Sequence, residues 1–206
     1  MRVLRPSRRG PLLHQSSGPW LANLQYEVDS SVTPGLFWRG SRQVVNFIMA
    51  PEQPYRPANH DLNQPGELNL LEIPVSCWTS NFLTKKIDLY LASRLESSRP
   101  TPSIYERLLR RTLGPKKWLR PTIGDHRSLI RLAKQYLRRH SERQLVCINI
   151  MFHPIELVIG ASPYSPNQSE VNRILNNLES LINHFFQAGC TFAKLKEVPN
   201  YMNNHN

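Results

Sequence analysis

An imidazole follows directly on an apolar run in Leu145–His153, written L-V-C-I-N-I-M-F-H. In α/β architectures the reactive groups sit on the loops that leave the C-terminal ends of strands, and an imidazole titrates near neutrality. His153 therefore reads either as a general acid or base aimed at the mouth of a sheet, or as a strand-end residue that bonds backbone. Glu156, three residues on, either orients that ring or is a surface glutamate. A second candidate is Asp29, in Tyr26-Glu27-Val28-Asp29-Ser30-Ser31. An acid at the end of a short strand can point into a pocket, but Asp-Ser-Ser is also good turn chemistry.

Other chemistry is excluded by pattern. The seven histidines include no pair at the one-turn spacing of a two-histidine metal site, and no Asp-Asp or Asp-x-Asp occurs. Cys77, Cys147 and Cys190 are an odd number without C-x-x-C spacing, so neither a disulfide framework nor a structural zinc site is expected. There is no G-x-S-x-G elbow and no phosphate-binding glycine loop.

The elements that must position these residues follow from periodicity. Pro34, Pro51, Pro54, Pro57 and Pro65 confine the first part of the chain to loops and short strands, with Val44–Ile48 and Leu68–Ser76 as strand candidates. Helical spacing runs through Phe82–Leu95, Ile104–Leu113 and Ser128–Arg139. Leu145–Phe152 suits a central strand covered on both faces. A long amphipathic helix then carries Val171, Ile174, Leu175, Leu178, Leu181, Ile182, Phe185 and Phe186 at steps of three and four, with Ser169 as expected N-cap and Gly189 near its end. Thr191–Leu195 reads as a last strand. The alternation argues for an α/β fold with parallel strands and covering helices.

Size and charge bound the rest. The 206 residues suffice for one large domain with a core, and 40% apolar against 20% charged residues is globular composition. Net charge is +11. It is concentrated: residues 99–143 hold 13 basic residues against Glu106, Asp125 and Glu142. Such a block is either a solvated helix face or a surface for an acidic polymer, nucleic acid or membrane. No nucleic-acid motif accompanies it, so nucleic acid is not expected as a partner. No apolar stretch is long enough to span a bilayer, and the basic start lacks a signal-peptide core. The default expectation is a soluble cytoplasmic protein.

Four segments in order carry a resemblance: Y-E-V-D-S-S-V-T-P (Tyr26–Pro34), L-L-E-I-P-V-S (Leu70–Ser76), W-L-R-P (Trp118–Pro121) and M-F-H-P-I-E-L-V-I-G-A-S-P-Y (Met151–Tyr164). With the long terminal helix and T-F-A-K-L (Thr191–Leu195), they resemble the C-terminal part of a polysaccharide deacetylase of the NodB-homology class. The likeness covers nearly the whole chain from about Tyr26. It implies an α/β fold, the C-terminal portion of a distorted (β/α) barrel lacking its first strands. Residues 1–206 would be a single domain, with a divergent or poorly ordered start at 1–25 and a frayed tail at 200–206.

The resemblance also implies a function, metal-dependent hydrolysis of N-acetyl or O-acetyl groups on carbohydrate. Complete members hold zinc or another divalent metal, which lowers the pKa of a bound water. His153 inherits the acid role toward the leaving amine, Asp29 the orientation of an arginine, and Tyr164 a substrate contact. That arginine falls on Arg5, in L-R-P-S-R-R-G (Leu4–Gly10), where Pro6, Ser7 and Arg9 depart from the family's F-R-x-G-R-[WF]-G. The family's metal-binding blocks should precede this motif and have no counterpart here. The expectation is a chain that holds no metal and is inactive alone unless an N-terminal half is supplied in trans. The alternative is a non-enzymatic basic module.

Overall fold

The computed structural model describes residues 17–39, 44–79, 86, 87, 90 and 116–203. Arg5 and the helix expected at Ile104–Leu113 lie outside the described residues. Of the helix expected at Phe82–Leu95, residues 86, 87 and 90 are described, and all three are helical. The architecture is mixed α/β, with small two-stranded sheets and separate helices; the described residues form no closed barrel. They divide into two compact units, the first drawn from residues 1–74 and 78–116, the second from 75–77 and 117–206.

In the first unit, α1 (Ser17–Asn23) leads into β1 (Val28–Asp29). β1 pairs in parallel with β6 (Leu71–Glu72), Val28 opposite Leu71 and Asp29 opposite Glu72. Tyr55 bridges the other side of β6: its N–H donates to the Glu72 carbonyl and its carbonyl accepts from the Glu72 N–H. Glu72 thus sits mid-ladder with neighbours on both sides. Around this lie two antiparallel pairs, β2 (Phe37–Arg39) with β3 (Val44–Asn46), and β4 (Pro57–Ala58) with β5 (Asp61–Pro65). Val32, Val45, Phe47, Ala50 and Leu62 form their core. The prolines keep every strand here to five residues or fewer.

The second unit is helical at its core. After the short strands β7 (Cys77–Trp78), shared between the units, and β8 (Lys117–Trp118), α2 (His126–Arg139) packs Leu129 and Ala133 against Leu119, Leu181 and Phe185. Asp125 caps α2 in a reciprocal box with Ser128, two residues ahead of the expected start. α3 (Gln168–Gln187) buries Val171, Ile174, Leu181 and Phe185 of the expected apolar set, while Leu175, Ile182 and Phe186, one position off that row, are exposed. Its cap is Asn167, whose side chain accepts from the Glu170 N–H, and not Ser169. The cap site belongs to the residue just before the first helical φ/ψ, and Ser169 already lies inside the helix. α4 (Val198–Asn203) follows a 3-10 turn at Leu195–Glu197, so residues 200–203 of the expected frayed tail are helical.

Two expected strands are absent from the described residues. Leu145–Phe152 runs extended but joins no ladder, and its side chains are half-buried throughout. A continuous apolar run becomes a central strand only when both edges find partners. Here Ser76 supplies two bonds, donating its N–H to the Asn149 carbonyl and accepting the Asn149 N–H on Oγ. Leu119 reaches the opposite side of Ser76, its N–H donating to the Ser76 carbonyl. Thr191–Lys194 is exposed coil and Leu195, also exposed, opens the 3-10 turn, without the burial a closing strand needs.

Candidate functional site

The second unit gathers two of the four resemblance segments. W-L-R-P contributes Arg120 and M-F-H-P-I-E-L contributes Glu156; the two form a buried ion pair, 7% and 2% exposed. Pro154 starts a 3-10 turn over Pro154–Leu157 that swings Glu156 inward. Glu156 is therefore neither a surface group nor bonded to the imidazole, because the turn commits it to the guanidinium. The guanidinium carbon lies 4.9 Å from the Trp118 ring centroid and 5.1 Å from that of Tyr164. Strand alternation puts residues 118 and 120 on one face, and the cation rests against both rings. Trp118 is half-buried, while Tyr164 remains 40% exposed.

His153 stands at the entry of this turn, exposed, with extended backbone (φ −101°, ψ 138°). Its carbonyl accepts the Glu156 N–H at 2.9 Å, but its side chain caps nothing. The imidazole is thus held by backbone and free to meet a ligand, so the strand-capping reading does not describe it. The loop behind is pinned by the Gly160 N–H to the Ser165 carbonyl, 2.7 Å, and by Ser165 Oγ to the Val158 carbonyl, 3.1 Å.

α3 locks the opposite end of the W-L-R-P segment. Asn177 Nδ2 donates to the Pro121 and Gly124 carbonyls at 2.8 and 3.1 Å. Arg173 donates to the Gly124 and Thr122 carbonyls at 2.6 and 3.2 Å, while its Nε pairs Glu170. Gly124 has φ +74°, and a side chain there would meet Ser128 Oγ at 2.7 Å, so only glycine serves this turn.

Asp29 belongs to the first unit. Its Oδ1 accepts from the Ser30 N–H (2.8 Å) and from Ser31 Oγ (2.7 Å), local bonds to the two residues that follow it. Its Oδ2 is buried without a donor, and so is Oε2 of its cross-strand neighbour Glu72. Glu72 is fully buried, and its Oε1 accepts the Val32 N–H at 3.0 Å. Burial first, then repulsion from Asp29, pushes the Glu72 carboxyl up to about 8. At neutral pH the buried Glu72 carboxyl therefore favours its protonated form. The Tyr55 hydroxyl donates to the Leu62 carbonyl, and burial raises its pKa.

A divalent metal does not fit the described residues. Among them no group of three or more His, Cys, Asp or Glu could hold an ion. The thiols offer no nucleophile: burial pushes Cys147 up to about 11 and raises Cys190, while Cys77 is buried. Residues missed from sequence were Trp118 and Arg120; a charged residue inside an apolar W-L-R-P run was their one visible signal. No helix among the described residues is long and apolar enough to cross a membrane. Compared with protein-family models, curated proteins and solved structures, the chain matches none.

Proposed function

We propose that this chain is a polysaccharide deacetylase-like protein that binds an N-acetylated carbohydrate through the Trp118–Arg120–Tyr164 cluster and presents His153 to it. One observation carries the reading: W-L-R-P and M-F-H-P-I-E-L…P-Y, segments singled out for their resemblance to that family, meet in a buried Arg120–Glu156 pair beside an exposed imidazole. The exposed Tyr164 ring offers an apolar face for the C–H side of a pyranose. Arg120, paired on one side and backed by both rings, fixes that face. His153 is exposed enough to donate a proton to a leaving amine. In this reading binding is the chain's own contribution, and the ligands that activate water come from an N-terminal half supplied in trans; the described residues contain no metal-holding group.

Titration with the tetramer of N-acetylglucosamine, read by tryptophan fluorescence, tests this. The expected result is saturable binding, weakened about tenfold in Tyr164→Ala, a change of ~1.4 kcal/mol, without acetate release in the presence of zinc. Absence of binding sinks the reading. Acetate release that disappears in His153→Ala would instead make the chain a hydrolase in its own right.

A further inference from the structure

The cations of α2 are arranged in a way that helix stability alone opposes. Arg127, Arg131, Lys134 and Arg138 recur at intervals of four, three and four, which lines them along one face of the helix. All four are exposed. The opposite face carries Leu129, Ala133 and Tyr136, buried. No acid occurs anywhere in His126–Arg139. Each successive pair on the stripe is therefore a like-charge contact of the kind that destabilises a helix. Arg138 and its neighbour Arg139 gain from the C-terminal end of the dipole, but Arg127 and Arg131 sit toward the end where the dipole repels cations. A merely solvated face would interleave glutamates. The flanking acids are Asp125, committed to the capping box, and Glu142 beyond the helix.

We propose that this stripe is a docking surface for an anionic polysaccharide, one bearing a carboxylate or sulfate at regular intervals along the chain. The inference rests on the carbohydrate reading above and specifies its substrate class. Spacing supports it: four cations occur over about 16 Å of helix, close to one per turn, which suits an extended polymer with an acid group on successive sugars. The stripe has no exposed aromatic residue on which unpaired bases would stack. Nor does it have apolar residues interleaved with the cations that would enter a lipid surface. Lys117 adds a further cation at the margin, its Nζ donating to Gln135 Oε1 at 3.0 Å between Lys134 and Arg138 in sequence.

The experiment compares oligogalacturonate, the neutral N-acetylglucosamine tetramer, duplex DNA and phosphatidylglycerol vesicles as ligands of the full chain, by calorimetry at low and physiological salt. Expected is oligogalacturonate binding that falls steeply with salt and drops at least about tenfold in Arg131→Glu/Lys134→Glu. The neutral tetramer should bind that variant as it binds the parent. Arg131→Gln/Lys134→Gln, with helix content checked by circular dichroism, should give an intermediate loss and separates charge from folding. Salt-insensitive binding, or equal affinity in the reversed variant, overturns the proposal. Tighter binding of duplex DNA or of vesicles overturns it in favour of those partners. If the tetramer never binds but oligogalacturonate does so through the stripe, the surface stands and the deacetylase-like reading falls.

Discussion

Glu72 is the residue through which pH acts on this fold. An unfolded glutamate titrates near 4.5, while burial and Asp29 hold the folded one near 8. Between those values the folded chain keeps a proton that the unfolded chain has released, so stability declines as pH climbs. The contribution of this group is complete below the unfolded value and is gone once pH passes the folded one. Glu72→Gln keeps an acceptor for the Val32 N–H and cannot ionise. Urea midpoints measured from about pH 5 to about pH 8.5 should fall for the parent and lose most of that slope in the variant. Parallel profiles would show that Glu72 keeps no proton in the fold beyond what it keeps unfolded. Asp29 was visible in the sequence as strand-end acid or turn former; it ends β1, and its Oδ1 bonds the two serines that follow. Its cross-strand partner was not visible. Parallel register is set by segments more than forty residues apart, and the only local hint was one acid inside L-L-E-I.

At the scale of elements, the Arg120–Glu156 pair ties the 3-10 turn under His153 to the chain leaving β8. Removing one partner leaves the other buried and uncompensated, at a cost of ~3–5 kcal/mol, whereas exchanging both for apolar groups of like size costs far less. Glu156→Leu should therefore lower the unfolding free energy by several times as much as Arg120→Met/Glu156→Leu does. Equal losses in denaturant titrations would show that the pair contributes nothing beyond its volume. Helices α2 and α3 were legible because apolar residues recur every three to four positions, although α3 has two adjacent apolar rows and buries only the one through Val171, Ile174, Leu181 and Phe185, leaving Leu175, Ile182 and Phe186 exposed. Leu145–Phe152 was misread for a related reason. Its composition is that of a covered strand, but coverage depends on neighbours, and Ser76 bonds it at Asn149 alone among its residues.

For the whole molecule the dominant quantity is the charge of +11. Like charges repel in the compact state more than in the expanded one, so screening should stabilise the fold. Raising the ionic strength from about 0.01 to about 0.15 M shortens the Debye length from about 30 to about 8 Å. The thermal midpoint at neutral pH should rise over that range, and oligogalacturonate should raise it further at low salt if the α2 stripe holds it. A midpoint indifferent to salt would mean that the positive groups are already compensated within the fold. The α/β class and the helical second part of the chain could be read from sequence. Closure into a barrel could not, because whether strands join around a ring depends on pairings that no local pattern encodes.

The carbonyls of Pro121, Thr122 and Gly124 are gripped by Asn177 and Arg173, between 49 and 56 positions further along. On a ribosome the turn that leads into α2 is made long before the side chains that close it, so until then its oxygens stay bonded to water. The segment carrying Arg120 thus acquires its final shape only when α3 arrives, which makes the aromatic cluster one of the last features of the nascent chain to mature.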